Sequence, residues 1–389
     1  MKLIKNKNLE NLAKVFSLAG IELFAVGGFV RGKLQGLSDQ ECGDIDLCSK
    51  ATISEIEGLA KENGFDVKIL NASLGVCCIN YNGEVFEHAT FRTEVCDKNG
   101  KHNPKSVSFV ESVEVDAKRR DFTINAIYYN ISKEIIFDPF GGVSDLDKFK
   151  LKTIGDPDLR LKEDALRMLR AVRIACSYAF DLSEDLIVAI KNNAHLISNL
   201  SSAKRNAELM KIFYVDTVCK TLTKNSKAHM NALIMLSSLG LMQFVFPELY
   251  KIKISKNKRL FKNLCVEFGF SSPKARIVVL FTAITLAFSK LHNDIDNFAS
   301  YLIDTYFRTQ SNNKNCIILQ KTIKYCQNFT NQLRFRKNLQ LLKTESDDII
   351  DLVLEYFLCV GKAKSAGKSN GKMFLKLNKK LKKPSVKRW

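Results

Sequence analysis

From Met1 to about Lys150, apolar and polar positions fall into short β-type runs separated by short amphipathic stretches. Glu22–Val26, Asp44–Cys48, Phe65–Leu70, Leu74–Tyr81 and Glu84–Phe91 read as strands, and Asn82-Gly83 between the last two is a two-residue hairpin turn. After about Leu151 the strand signal fades and helical periodicity runs to the C-terminus. The pattern predicts an α+β N-terminal domain over 1–150, then an all-α remainder divided into a neck (151–215), a body (216–300) and a basic tail (301–389). No repeat at solenoid or propeller period is present.

At 389 residues the chain exceeds one ordinary domain, and 46% apolar residues suffice for real cores. The formal charge of +19 points to polyanions, nucleic acid foremost, or else to a lysine-rich solvated surface. The N-terminal stretch reads as an amphipathic helix rather than a secretory signal. The longest apolar run, Ile277 to Phe288, is too short for a bilayer. Eleven cysteines lie scattered without a CxxC pair, as reduced thiols do, so a soluble cytoplasmic protein without a membrane partner is expected. From Gly361 onward many lysines and no acid end in LNKKLKKPSVKRW, either a phosphate-binding arm or a solvated tail. Nothing sets the oligomeric state.

The chemistry concentrates in FAVGGFVRGKLQGLSDQECGDIDLCSK. A strand enters Gly27-Gly28, a helix-like segment carries Arg31, and a second strand holds Asp44 and Asp46. Two glycines let backbone approach a triphosphate. Positions i and i+2 of a strand share a face, so both carboxylates project together while Ile45 and Leu47 turn to the core. Such a pair repels itself unless cations intervene, and two Mg²⁺ ions would also activate a 3′-hydroxyl and neutralise departing pyrophosphate. Asp294-Ile295-Asp296 repeats the triplet without a glycine pair and reads as surface. GKAKSAGKS has the wrong glycine spacing for a P-loop, and the five histidines show no zinc spacing.

VGGFVRGKL, DIDL, RRDFTINAI, DPFGGVSDL, RLKEDALRMLRAVR and NALIMLSSLGLMQFVFPEL occur in the order found in the nucleotidyltransferase superfamily. Within it the chain resembles the bacterial-type (class II) CCA-adding enzymes and poly(A) polymerases, from about residue 20 to about 250. The resemblance implies a polymerase-β-like nucleotidyltransferase domain followed by an all-α neck, body and tail. It implies addition of C and A from CTP and ATP to the tRNA 3′ end, on two Mg²⁺ ions held by Asp44 and Asp46, with the acceptor arm cradled by the helical part. Glu87, in VFEHATFR, is a candidate third metal carboxylate or a cross-strand surface acid; Arg92 ends that strand without an assigned role.

In KRRDFTINAIYY, Asp121 and Asn125 share a helical face at i, i+4, with Phe122 and Ala126 toward the core. The resemblance assigns Arg120, Asp121 and Asn125 to the sugar and phosphates of the nucleotide. DPDLRLKEDALRMLRAVRIA is read as one helix with an apolar stripe and a charged side carrying Asp164, Arg167 and Arg170. Cytosine and adenine both offer an exocyclic amine beside a ring-nitrogen acceptor, which a carboxylate and a guanidinium can read together. Guanine and uracil present a carbonyl there, and each contact carries about 1–3 kcal/mol of discrimination by analogy with base reading in DNA grooves. The resemblance gives this templating role to Asp164 and Arg167, with Arg170 and Arg173 on base or phosphates.

Two departures stand out. Gly32 follows Arg31 where the family usually has aspartate, a change expected to alter local helix capping only. TEVCDKNGKHNPKSVSF, at 93–109, lacks the tyrosine and paired arginines of the family's flexible loop, which leaves CC-only or A-only addition and poly(A) synthesis as alternatives. A non-catalytic RNA-binding protein on the same fold is the alternative from another class.

Overall fold

The structure, a computed structural model, describes residues 2–215, 228–248, 250, 305–306, 313–330, 335–362 and 377. Contacts divide the chain into two units, the first over Met1–Leu200, the second beginning at Ser201 among the described residues. Ile277–Phe288, Asp294–Asp296 and most of the basic run after Lys362 lie outside the described residues.

The first unit is built on a seven-stranded sheet. Its strands, in chain order, are β1 (Phe24–Val26), β2 (Asp46–Ser49), β3 (Asp66–Asn71), β4 (Val76–Tyr81), β5 (Glu84–Thr90), β8 (Tyr128–Asn130) and β9 (Ile135–Phe137), arranged β3-β4-β5-β2-β1-β8-β9. β2 and β5 run parallel, and the other neighbours are antiparallel. Asn82 and Gly83 both take positive φ, as a tight two-residue hairpin demands, and Tyr81 pairs Glu84 across it.

Strand alternation gives the sheet two cores. On one face Ala25, Leu47, Ile79 and Phe86 pack under α1 (Lys7–Leu18) and α4 (Ile53–Asn63), which contribute Leu9, Leu12, Phe16, Ile56 and Ala60. Those helices start where side chains satisfy free amides: Asn6 accepts from Leu9, and Thr52 with Glu55 forms a capping box. On the other face Phe24, Val26, Cys48 and Tyr128 pack with Phe91, Ala117 and Ile154. Asp46 alternates with Leu47 and so leaves β2 on this second face.

Three sequence readings need correction. KRRDFTINAIYY is no α-helix: Phe122 forms an isolated bridge to Thr153, a single 3₁₀ turn covers Thr123–Asn125, and the chain then becomes β8. The segment 92–109 is a second small sheet, β6 (Arg92–Val95) with β7 (Ser106–Phe109). The selecting helix is two helices, α7 (Pro157–Glu163) and α8 (Leu166–Tyr178), broken at Asp164, whose backbone is extended at φ −152°, ψ 103°.

α7 begins at Asp156, which accepts from Leu159 N, with Pro157 at the first helical turn. Parallel β10 (Lys150–Leu151) and β11 (Asp181–Leu182) then join the region following α8 to the strand before α7. In the second unit, α10 (Ser202–Phe213) carries Arg205 and Glu208, and helices span Ala228–Ser238, Asn313–Thr330, Phe335–Lys343 and Asp347–Lys362. Cys42, Cys48, Cys77, Cys78, Cys96, Cys176 and Cys326 are free thiols. No described helix is long and apolar enough to cross a membrane.

Candidate active site

Gly27 closes β1 at φ +80°, ψ −137°, a backbone state that glycine tolerates and side chains avoid. A Cβ at Gly27 would stand 3.5 Å from Asp46 Oδ2, so the glycine loop and the carboxylate lie side by side. Asp46 is the register partner of Val26 on one side and of Glu87 on the other. Partners in neighbouring strands project to one face, which brings the Asp46 and Glu87 carboxylates together. Asp46 keeps part of its surface open to solvent, yet burial of its carboxyl, then the charges of Glu87 and Asp44, push it up to about 6 against the opposing pull of Arg120. Asp44 is not part of the strand. It lies exposed in the bend before β2, so the expectation that both aspartates share one strand face is replaced by an Asp46–Glu87 pair with Asp44 beside it.

Among the described residues no three ligand-type side chains already surround one point. The donor set still fits a divalent cation of the Mg²⁺ type, which takes one or two carboxylates and completes its shell with water and phosphate oxygens. The register pairing of Asp46 with Glu87 is the observation that carries the fit: burial first, and then the charges of Glu87 and Asp44, raise the Asp46 carboxyl, and a cation between the carboxylates would remove their share of that displacement.

Behind this ledge lies a buried polar knot that the sequence reading missed. Asp116, fully buried at the end of α5 (Val113–Lys118), accepts from Arg92 N (3.1 Å), Arg119 Nε (2.8 Å), Arg120 (3.4 Å) and Tyr128 Oη (2.8 Å). Burial raises the Asp116 carboxyl, but Arg120 and then Arg119 outweigh it and hold the group below its ordinary value. Arg120 also donates to Tyr128 Oη at 2.7 Å and lies 5.0 Å over that ring. Arg120, which the resemblance assigns to the nucleotide, here fastens the second core beside Asp46. Arg92 likewise fastens, donating to Glu94 (2.8 Å) and to Leu74 O (3.0 Å). The signal was present in DAKRR, where i+3 and i+4 spacing puts both arginines over Asp116.

Arg31, Asp121, Asn125 and Arg170 converge, chiefly on one another. Arg170 grips Asp121 Oδ2 through Nε (2.8 Å) and Nη2 (2.5 Å), while Asn125 (3.0 Å) and Phe122 N (2.8 Å) donate to Oδ1. Burial raises the Asp121 carboxyl, but Arg170 and these donors drive it well below its ordinary range. Asn125 Oδ1 accepts from Arg31, whose guanidinium lies 4.2 Å over the Tyr178 ring at the end of α8. Arg31 is fully buried, and burial lowers its pKa, with nearby Arg173 adding to the effect. The network ties the glycine loop's helix α2 (Gly28–Leu34) to α8.

Asp164 sits at the helix break with Oδ1 accepting from Leu166 N (2.9 Å) and Oδ2 meeting His102 Nδ1 (2.7 Å). Arg167 is turned inward: its Nη atoms donate to Arg160 O (2.7 Å), Glu163 Oε2 (3.0 Å) and Arg119 O (3.1 Å), and its side chain is 7% exposed. The reading of Arg167 as an open base-reading donor is corrected to that extent, although its Nε is left without a partner. A cavity of about 150 Å³ adjoins it, lined among others by Glu94, Arg119, Arg160 and Glu163. Each glutamate is bracketed by two arginines there, Glu94 by Arg92 and Arg119, Glu163 by Arg160 and Arg167.

Residues 23–152, which hold the Gly27 loop, Asp46, Glu87 and Asp121, match the Poly A polymerase head domain. The chain is 37% identical over 193 residues to the CCA-adding enzyme of Bacillus pumilus, covering 50% of this chain and 46% of that protein. It is 39% identical over 193 residues to that of Geobacillus kaustophilus, with the same coverage. The matched segment spans about half the length of these curated relatives. Among solved structures, a Bacillus stearothermophilus CCA-adding enzyme in complex with CTP aligns with a TM-score of 0.68 at 22% identity, over 97% of this chain and 83% of that one. A Thermotoga maritima CCA-adding enzyme complexed with tRNA aligns with a TM-score of 0.62 at 19% identity, over 100% and 86%. The fold is therefore that of a nucleotidyltransferase head with a helical remainder.

Proposed function

We propose that this chain is a template-independent tRNA nucleotidyltransferase that adds C and A to the tRNA 3′ end from CTP and ATP and releases pyrophosphate. The observation that carries this reading is the Asp46–Glu87 register pair beside the Gly27 loop. The relatives named for CCA addition, and the neighbours solved with CTP and tRNA, support it.

In this mechanism Asp46, with Asp44 and Glu87, would hold Mg²⁺, two ions by the chemistry of the reaction. Held there, the metal would supply charge neutralisation at the transferring phosphate and a lowered pKa for the attacking 3′-hydroxyl. Gly27 and Gly28 admit the triphosphate to the ledge without a side chain in the way. Arg120, Arg31, Arg170 and Arg173 give the approach its positive charge, and the grip of Arg170 Nε and Nη2 on Asp121 Oδ2 orients Arg170. Asp164 accepts from the exocyclic amine shared by cytosine and adenine, and Arg167 donates to the ring nitrogen after turning from its inward contacts. We assign the helices after Leu151 to a neck, a body and a basic tail that holds the acceptor arm, and the protein to the cytoplasm.

Purified protein given CTP, ATP and tRNA lacking its 3′ CCA decides the matter: three added residues support the proposal. A long homopolymer supports poly(A) synthesis, the reading that the family description of residues 23–152 favours second. Addition that stops after CC, or of A alone, marks a partial enzyme.

A further inference from the structure

We propose that His88 is a positioning residue for the metal ledge: through Ser49, on the opposite face of the sheet, it holds β5 in the register that sets Glu87 against Asp46. The inference rests on the reading that Asp46 and Glu87 hold the cation.

The ledge depends on a strand contact that no turn enforces. The Asn82-Gly83 hairpin fixes β4 against β5, whereas the chain between β2 and β5 passes through α4, β3 and β4. The parallel ladder of β2 and β5 has four register pairs, from Asp46 with Glu87 to Ser49 with Thr90. Parallel pairing is slightly weaker per residue than antiparallel pairing. A slip of one residue would turn Glu87 into the core under α1 and α4, away from Asp46.

Side chains on that core face supply the lock. Leu47, Ser49, His88 and Thr90 alternate with the ledge residues, and the His88 ring lies 6.1 Å from the Phe16 ring of α1. His88 Nε2 and Ser49 Oγ share a hydrogen bond of 2.8 Å, and both residues are fully buried. The bond runs diagonally between the strands, since the register partner of His88 is Leu47. Ser49 Oγ is itself held by Ala51 N (3.1 Å), and Thr90 Oγ1 donates to Ala51 O (2.7 Å). A one-residue slip would put His88 and Ser49 on opposite faces and break their bond.

An imidazole is costly at this position. Its Nδ1 is buried without a hydrogen-bond partner, whereas an aliphatic side chain would fill the core without that penalty. A buried polar contact that fixes register at some cost in stability is known from packed helices. His88 does the same for two strands, and its backbone neighbour is the residue that carries the ledge carboxylate.

The test titrates wild type, His88→Leu, Ser49→Ala and His88→Gln with Mg²⁺, well above the Asp46 value, and reads the dissociation constant from calorimetry. Thermal melts without Mg²⁺ confirm that each variant folds. Leucine fills the space without the bond, Ser49→Ala removes the bond from the other strand, and the glutamine amide offers Ser49 both a donor and an acceptor. His88→Leu and Ser49→Ala are each expected to weaken Mg²⁺ binding by roughly three- to tenfold, the worth of one hydrogen bond expressed in the fraction of chains with the ledge assembled. His88→Gln keeps the wild-type value. Unchanged binding in a folded His88→Leu or Ser49→Ala, or an equal loss in His88→Gln, overturns the assignment and leaves the proposed function standing. A wild type that binds no Mg²⁺ overturns the ledge and this assignment together. A wild type that binds Mg²⁺ and shows these shifts yet adds no nucleotide supports the assignment and overturns the function alone.

Discussion

Asp46 and Glu87 face one another in register across the parallel strands β2 and β5, and the carboxyl of Asp46 is raised to about 6 in consequence of burial and of that neighbour. Strands lie about 4.8 Å apart, so two ionised groups on one face at that spacing call for a cation. Between the ordinary aspartate value of about 3.9 and 6, the folded chain binds more of the Asp46 proton than the unfolded chain does. Stability without metal therefore falls as pH rises through that window. Mg²⁺ relieves the ionised pair, so the gain in Tm on adding Mg²⁺ is expected to be larger above pH 7 than below pH 5. Differential scanning fluorimetry reads this, and Asp46→Asn is expected to lose the gain. Equal gains at both pH values contradict the ledge.

The Arg170–Asp121 grip spans 49 residues of sequence and joins α8 to the turn that follows α5. Arg170→Ala leaves a buried carboxylate with two neutral donors, at a cost of about 2 kcal/mol once the partial exposure of Arg170 is discounted. Asp121→Asn in the same chain is expected to recover part of that loss. Denaturant unfolding of the two single variants and the double variant measures the coupling, and additive losses would show that the pair is not joined.

Gly32 has a packing reason. A Cβ there would come within 2.6 Å of Cys42 Sγ, on the short helix α3 (Asp39–Cys42). The expected effect of the family's aspartate on capping is replaced by a clash with this neighbour. Gly32→Ala is expected to cost about 1–2 kcal/mol through overpacking, and Cys42→Ala to restore much of it. Tm values of the two variants and their combination decide, and failure of the rescue removes the contact as the cause.

The parts of this site that were legible in the sequence are those set by local rules. The glycine pair before DIDL, the alternation that turns Leu47 inward and Asp46 outward, and the Asn82-Gly83 hairpin all follow from backbone preference and period. The turn after Arg120 was misread because i, i+4 spacing brings Asn125 to Asp121 in a 3₁₀ turn as well as in a helix. Tyr128–Asn130 escaped notice because a three-residue strand buried on both faces shows no alternation. The break at Asp164 carries no proline or glycine in the sequence; it is stabilised from outside, by Gly100 and His102 about sixty residues earlier in the chain. Partner choice is the other gap: spacing shows that Arg167 and Arg170 are near a charged face, but only the fold shows that one turns to Glu163 and backbone carbonyls and the other to Asp121.

The central claim is that the Asp46 carboxylate supports nucleotidyl transfer to RNA, and incorporation of labelled CTP and ATP into tRNA lacking CCA, by wild type and Asp46→Ala side by side, tests it most directly. Wild type is expected to extend the tRNA by three residues, and Asp46→Ala to bind the same tRNA in a filter assay yet extend it at no detectable rate. Turnover retained by Asp46→Ala, or a wild type that binds tRNA and extends nothing, contradicts the account.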